Sequence, residues 1–168
     1  MIDVVSLPKK IEKKIDEKVL ERIGKELDVK IKKDNDDYII EGEPYKILRV
    51  KLIFQALGKN FEIGDAMLLS SDEYFFETIN IKEFTRNKNR LIQLRGRVIG
   101  EKGKVRKRIE EITNTKISVY GNTVSIIGKY EDILLAKKAI EMLLEGRKHS
   151  TVFLFLEKEI NKRKVKGY

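Results

Sequence analysis

The sequence predicts an α+β fold: two tandem copies of a three-stranded sheet packed on helices, followed by an extra C-terminal helix. Three observations carry this. Shifting the chain by 86 positions superimposes Val19 on Val105, Ile23 on Ile109, Ile31 on Ile117, Ile40 on Ile126, Gly42 on Gly128, Ile47-Leu48 on Ile133-Leu134, Lys51 on Lys137 and Leu57 on Leu143. An ungapped offset of this kind marks a duplicated supersecondary unit. The dipeptide Gly121-Asn122 between two β-rich runs is a tight hairpin turn. Finally, helical periodicity alternates with short β-rich runs in the same order in both halves. The expected boundary falls between residues 72 and 73, giving domains 1–72 and 73–168.

In the first copy, Ile2–Leu7 reads as a strand, and Pro8 suits a first helical turn. Helical pattern then runs to about Leu27. Strands follow near Asp28–Lys32 and Tyr38–Glu41, and a helix from Pro44 to Leu57.

The second copy is more sharply drawn. Phe75–Ile81 is rich in β-formers and partly alternates, so it reads as a strand. Asn89–Ile99 carries Leu91, Ile92, Leu94, Val98 and Ile99 at helical spacing and ends at Gly100. Val105, Ile109 and Ile112 mark the inner face of a further helix. Lys116–Tyr120 and Thr123–Ile127 form the hairpin. Tyr130–Leu144 is a long amphipathic helix, with Ile133, Leu134, Ala136, Ala139, Ile140 and Leu143 expected inward. A last helix covers about residues 150–164.

Between the first two helices of this copy lies Gly96-Arg97-Val98-Ile99-Gly100-Glu101-Lys102-Gly103-Lys104. Two glycines three apart, entered from an apolar pair and followed by a basic helix, resemble the GxxG loop of a KH domain. The order strand, helix, GxxG, helix, strand, strand, helix is that of the type I KH fold. Such a loop clamps the backbone of about four nucleotides of a single strand, because glycine lets backbone approach backbone. In the first copy the offset puts Lys14-Ile15-Asp16-Glu17 at the clamp position, and no glycine precedes Gly24. The first domain is therefore expected to be a KH fold without the clamp.

Charge follows the same asymmetry. Residues 1–86 hold 16 Lys/Arg against 18 Asp/Glu, whereas residues 87–168 hold 20 against 9, so −2 faces +11. A polyanion is expected on the second half. Lys88 to Arg108 alone contains nine basic residues and one acid, Glu101. Arg95, Gly96, Arg97, Ile99, Gly100, Glu101, Lys102, Gly103, Lys104, Arg106 and Lys107 are the expected RNA-binding residues. Ser118 and Tyr120 on the following strand are expected to face the bases. Ile109 and Ile117 fit an ordinary core better.

Other chemistries find little footing. The absence of cysteine excludes disulfides, Cys-ligated zinc and thiol catalysis. The glycine spacing fits neither a Walker loop nor a dinucleotide fingerprint. The single histidine, His149, lacks a ligating or catalytic partner pattern, and suits packing or capping. No metal, no cofactor and no enzymatic activity are expected. The longest apolar runs, such as Val152–Leu156, fall well short of a membrane span, and no basic-then-apolar leader follows Met1. The chain reads as cytoplasmic, with no membrane partner.

Three segments carry a closer resemblance: GRVIGEKGKVRKRIEEIT, ISVYGNTVSIIGKYEDILLAKKAIEMLLEG and HSTVFLFLE. They are similar to the C-terminal KH domain of the Partner-of-NOB (Dim-type) proteins, small-subunit ribosome biogenesis factors of archaea and eukaryotes. The connecting run Gly58-Lys59-Asn60-Phe61, with Ala66, Leu68 and Asp72, also resembles that family. The size is similar to archaeal members. The resemblance implies binding of single-stranded rRNA near the 3′ end of 16S rRNA through the second KH domain. It also implies cooperation with a NOB-type PIN-domain endonuclease and with the alpha subunit of translation initiation factor two. The missing first clamp departs from archaeal relatives that have one, which favours a scaffold role for residues 1–57. The alternatives from the residues are a KH-type translational or mRNA regulator, and a protein adaptor whose basic face meets an acidic partner.

Overall fold

The computed structural model describes residues 1–167. The chain divides into two compact units, Met1–Tyr74 and a second beginning at Phe75. The molecule is α+β, with one three-stranded antiparallel sheet in each unit.

The first unit runs β1 (Ile2–Ser6), α1 (Lys9–Glu12), α2 (Glu17–Leu27), β2 (Lys30–Asp34), β3 (Asp37–Glu41), α3 (Pro44–Gly58) and the short α4 (Ile63–Ala66), which continues into a 3₁₀ turn. Its sheet order is β1-β3-β2, with β2 at an edge. The uniform helical pattern expected between Pro8 and Leu27 is in fact broken. Ile15 is buried, and Asp16 restarts the helix by accepting from the Val19 N–H at 2.9 Å. A Ser/Thr/Asp/Asn cap of this kind satisfies one of the orphan amides of a new helix.

The second unit runs β4 (Tyr74–Asn80), α5 (Lys88–Ile99), α6 (Lys104–Thr113), β5 (Lys116–Tyr120), β6 (Thr123–Lys129), α7 (Tyr130–Leu144) and α8 (His149–Val165). Its sheet order, β4-β6-β5, matches that of the first unit. Both hairpins pair without a bulge around two-residue turns, and Asn35 and Gly121 hold the corresponding positive φ of 55° and 57°. The repeated glycines have a shared cause. A Cβ on Gly42 would lie 2.7 Å from Val29 Cγ1, and one on Gly128 would lie 2.8 Å from Thr115 Cγ2. Val29 and Thr115 are themselves 86 apart, so each unit needs the same close approach between the end of its central strand and the residue that precedes its edge strand.

The second core joins Leu94 and Val98 of α5, Ile109 of α6, Ile126 of β6, Ala136 and Ile140 of α7, and Val152 and Leu156 of α8. One inward assignment made from periodicity needs correcting, and one apolar position of α5 faces water. Leu134 is exposed and Leu135 is buried in its place, and Ile92 is 68% exposed. The α8 helix is also fastened by Arg108, whose guanidinium lies 4.0 Å over the Phe153 ring and 3.6 Å from Glu157. That arginine is occupied by packing.

Tyr38 on β3 is wholly buried, 5.5 Å from the Phe54 ring, and its hydroxyl meets no partner among the described residues. Burial raises the pKa of its phenol, and the neighbouring Glu12 adds to the shift. Tyr38→Phe removes a buried, unpaired hydroxyl and is expected to stabilise the first unit by about 1 kcal/mol. The reading is a higher urea midpoint; a lower one would mean that the hydroxyl has a partner. The raised pKa also carries a sign. The stability tied to it is complete below the unfolded value of 10.0 and is lost as pH rises toward the folded value. The phenylalanine variant lacks that alkaline loss.

Candidate nucleic-acid interface

The loop between α5 and α6 is built from the backbone. Helix α5 starts at Asn87, whose side chain accepts from the Arg90 N–H at 3.1 Å, and ends as the Gly100 N–H donates to the Gly96 carbonyl at 2.8 Å. Gly100 then takes φ 74° and ψ 174°, Lys102 φ 54° and Gly103 φ 76°. Three positive φ values in four residues turn the chain sharply and expose its peptide groups.

The two glycines serve different ends. A Cβ on Gly100 would lie 2.4 Å from Val105 Cγ2 and 2.8 Å from the Val105 backbone nitrogen. On Gly103 the nearest atom would be an Arg106 guanidinium nitrogen at 3.8 Å, and on Gly96 nothing lies within 4 Å. Gly100 is thus required by the fold, whereas Gly96 and Gly103 keep an outer face clear.

Helix α6 begins at Gly103 with no side-chain cap. Its first-turn amides have no side chain over them, and Lys102, Lys104 and Lys107 stand exposed around them with no ion pair among the described residues. The Gly103 and Lys104 N–H groups donate to the Gly100 and Glu101 carbonyls, and the first-turn amides that follow, backed by the helix dipole and lysines, suit a phosphate. The first unit does the opposite at the matching place: Asp16 caps α2, Glu17 follows in its first turn, and Ile15 is buried. Lys14 bonds to Asn60 there.

Two arginines expected at the nucleic acid are held by the protein. Arg97 donates through Nε to the Leu143 carbonyl at 3.0 Å and through a terminal nitrogen to the Arg147 carbonyl, so it closes the C-terminal end of α7. His149 Nε2 lies 3.0 Å from the Arg97 carbonyl, which is the packing role expected of it. Arg106 donates to Glu110 at 2.7 Å and to the Ile117 carbonyl at 3.2 Å, while the Ile117 N–H donates to Glu110 at 2.8 Å. Because β5 is the sheet edge, this pair covers the outward peptide groups of Ile117. Glu110 was absent from the sequence expectations; its i,i+4 spacing from Arg106 was visible, but its capture of a strand edge was not.

The remaining expected residues are spread over α5, the loop and β5. On β5, Ser118 and Tyr120 alternate with the core-facing Ile117 and Val119 and so point to the other face of the sheet, which corrects the expectation that they face the bases beside α5. Arg95 and Ile99 are half-buried on α5, Glu101 is exposed in the loop, Ser118 is half-buried on β5, and Tyr120 is 42% exposed at the hairpin. In the first unit an open groove of about 810 Å³ lies at the equivalent place, lined by Leu20, Gly24, Ile31 and neighbours. Those three positions correspond to Arg106, Glu110 and Ile117. The small residues leave open in one unit what the Arg106–Glu110 pair fills in the other.

Residues 75–161 match a family model described as a eukaryotic-type KH domain, type I, the second KH domain of PNO1. The chain belongs to the PNO1/Dim2 family of KH-domain ribosome biogenesis proteins. The KH domain-containing protein MJ0443 of Methanocaldococcus jannaschii is 40% identical over 152 residues, covering 87% of this chain and 67% of that protein. The RNA-binding protein pno1 of Ixodes scapularis is 30% identical over 113 residues, covering 66% of this chain and 48% of its own length. The chain thus spans about two thirds of the length of the first of these relatives and about half of the second. The crystal structure of Dim2p from Pyrococcus horikoshii superposes with TM-score 0.83 at 33% identity, covering 94% of this chain and 99% of that one. The same protein in a complex with a/eIF2alpha and rRNA gives 0.81 at 31%, covering 96% and 95%. The family resemblance drawn from the three sequence segments is borne out.

Proposed function

We propose that this PNO1/Dim2-family chain is a non-enzymatic, cytoplasmic RNA-binding factor of small-subunit ribosome assembly. Its second KH domain, residues 73–168, holds single-stranded rRNA near the 3′ end of 16S rRNA. The observation that carries the reading is the Gly100–Gly103 loop, whose outward backbone runs into the uncapped start of α6 beside Lys102, Lys104 and Lys107. A phosphate seated there meets amides and ammonium groups with no side chain in the way. Arg95, Gly96 and Ile99 extend the site along α5 toward the bases. Arg97 and Arg106 act by shaping it, as their guanidinium groups are already bonded.

Residues 1–72 are, on this reading, a second KH fold that lacks the clamp. The matching strand order and the offset of 86 favour it. The Pyrococcus relative crystallised with a/eIF2alpha and rRNA makes the alpha subunit of initiation factor two the foremost protein partner to test here. The NOB-type PIN-domain endonuclease is the second, and rests on the family resemblance alone.

Crosslinking in cells followed by sequencing of bound RNA is the deciding experiment. Reads are expected to concentrate at the 3′ end of 16S rRNA. Reads scattered over short motifs in many mRNAs would replace this reading with a translational regulator. In the same assay Lys102→Glu is expected to deplete the signal and Lys14→Glu to leave it; equal loss would make the first unit a nucleic-acid site too.

A further inference from the structure

Beside the clamp, the first half of α5 borders a separate concavity of about 560 Å³ that faces the 3₁₀ turn after β4 and the β5–β6 hairpin. Four cations line it, Lys82, Arg86, Lys88 and Arg95, and no carboxylate does. Glu83 is next in sequence but lies outside the lining. The floor is apolar, formed by Leu91 and Ile92. The wall is fixed, since the Ile81 N–H donates to the Asn122 carbonyl of the hairpin at 2.8 Å.

Two features of this hollow are unexplained by the fold. Ile92 leaves 68% of its surface in water, on a helix whose inner face has a full complement of apolar residues. Arg95 has a buried Nε with no hydrogen-bond partner among the described residues. Buried unpaired donors are rare in folded proteins and call for an acceptor. The hollow therefore offers an apolar platform, one unpaired donor and positive charge together, which suits a base with its phosphate.

We propose that this concavity is a second nucleotide-binding station, which receives the next nucleotides of the strand held by the clamp. It rests on the clamp reading only for the identity of that strand. Continuity along α5 supports the link: Lys88, Ile92, Arg95 and Ile99 follow one another at three- and four-residue spacing along one helix face. From Ile92 to Gly100 the rise is about 12 Å, a gap that neighbouring nucleotides of one strand can bridge.

The test compares a tetranucleotide with an octanucleotide of the same RNA, on the full chain and on the Lys82→Ala/Arg86→Ala double variant, by fluorescence anisotropy across a salt series. Both replaced side chains are exposed, so the fold should hold, and a thermal melt checks it. The wild-type chain is expected to bind the octamer more tightly, with a steeper salt dependence at about 0.7 per added phosphate contact. The double variant should keep tetramer affinity, lose at least fivefold of the octamer gain, and lose about one unit of slope. An unchanged octamer gain overturns the proposal, and binding of an acidic peptide with that result would reassign the hollow to a protein. Tetramer affinity falling in the same proportion also overturns it, as the cations would then act only as a general field. Clamp failure shows separately, as tetramer binding that survives Gly103→Asp.

Discussion

Gly103→Asp is expected to reduce affinity for a short single strand at least tenfold, about 1.4 kcal/mol, while the protein stays folded. Gly103 has φ 76° and ψ 14°, a left-handed conformation that Asp and Asn visit at modest cost, and a Cβ there meets nothing closer than 3.8 Å. The added carboxylate would stand at the start of α6, where the helix dipole favours an anion. Asp16 caps α2 from extended backbone at φ −85° and ψ 177°, a geometry the left-handed backbone of residue 103 does not share, so the new carboxylate would stand beside the first turn and repel a phosphate. Gly103→Asn supplies the same shape without the charge and should retain most of the affinity. Filter binding on both variants, with a thermal melt as the folding check, gives the answer. Equal binding by wild type and the aspartate variant would remove the loop from the nucleic-acid site.

Gly100→Ala should behave as a folding variant. At φ 74° and ψ 174° the residue occupies a region held almost only by glycine, which costs a side chain on the order of 1–3 kcal/mol. Its Cβ would also overlap Val105, a residue packed against the second core, at 2.4 Å and 2.8 Å. The expected result is a loss of about 3 kcal/mol and a fall in melting temperature on the order of 10 °C. RNA binding would fall with the fold. Gly103→Ala, which carries only the backbone cost, should lose about 1 kcal/mol. Equal losses at the two glycines would mean that Val105 yields and the loop relaxes around the new methyl.

These two outcomes separate residues that look equivalent in the sequence. The spacing Gly100–Gly103 is symmetric as a motif, and both positions read as necessary for close backbone approach. Their difference arises from Val105, which α6 carries back over Gly100. The basic residues divide in the same manner. Nine Lys/Arg between 88 and 108 announce a polyanion site, yet Arg97, Arg106 and Arg108 are spent on a helix end, a strand edge and an aromatic ring. Helical periodicity also misassigned Leu134, since a long apolar stripe fixes a face only to within a residue on either side.

The sequence by itself determined the α+β class, the duplicated order of elements and the hairpin turn, because these rest on local rules of periodicity, turn chemistry and self-similarity. It also determined that one copy alone carries the Gly-x-x-Gly loop, and the charge split of −2 against +11. Only the tertiary structure decided which cations remain available, why a side chain at Gly100 meets Val105 while one at Gly103 meets open space, and that Arg95 and Ile92 share a hollow. Arg97 reaches carbonyls 46 and 50 residues away, and Arg106 reaches a strand 11 residues on. A long flexible side chain takes its partner from the packing of distant elements, and no local pattern encodes that choice.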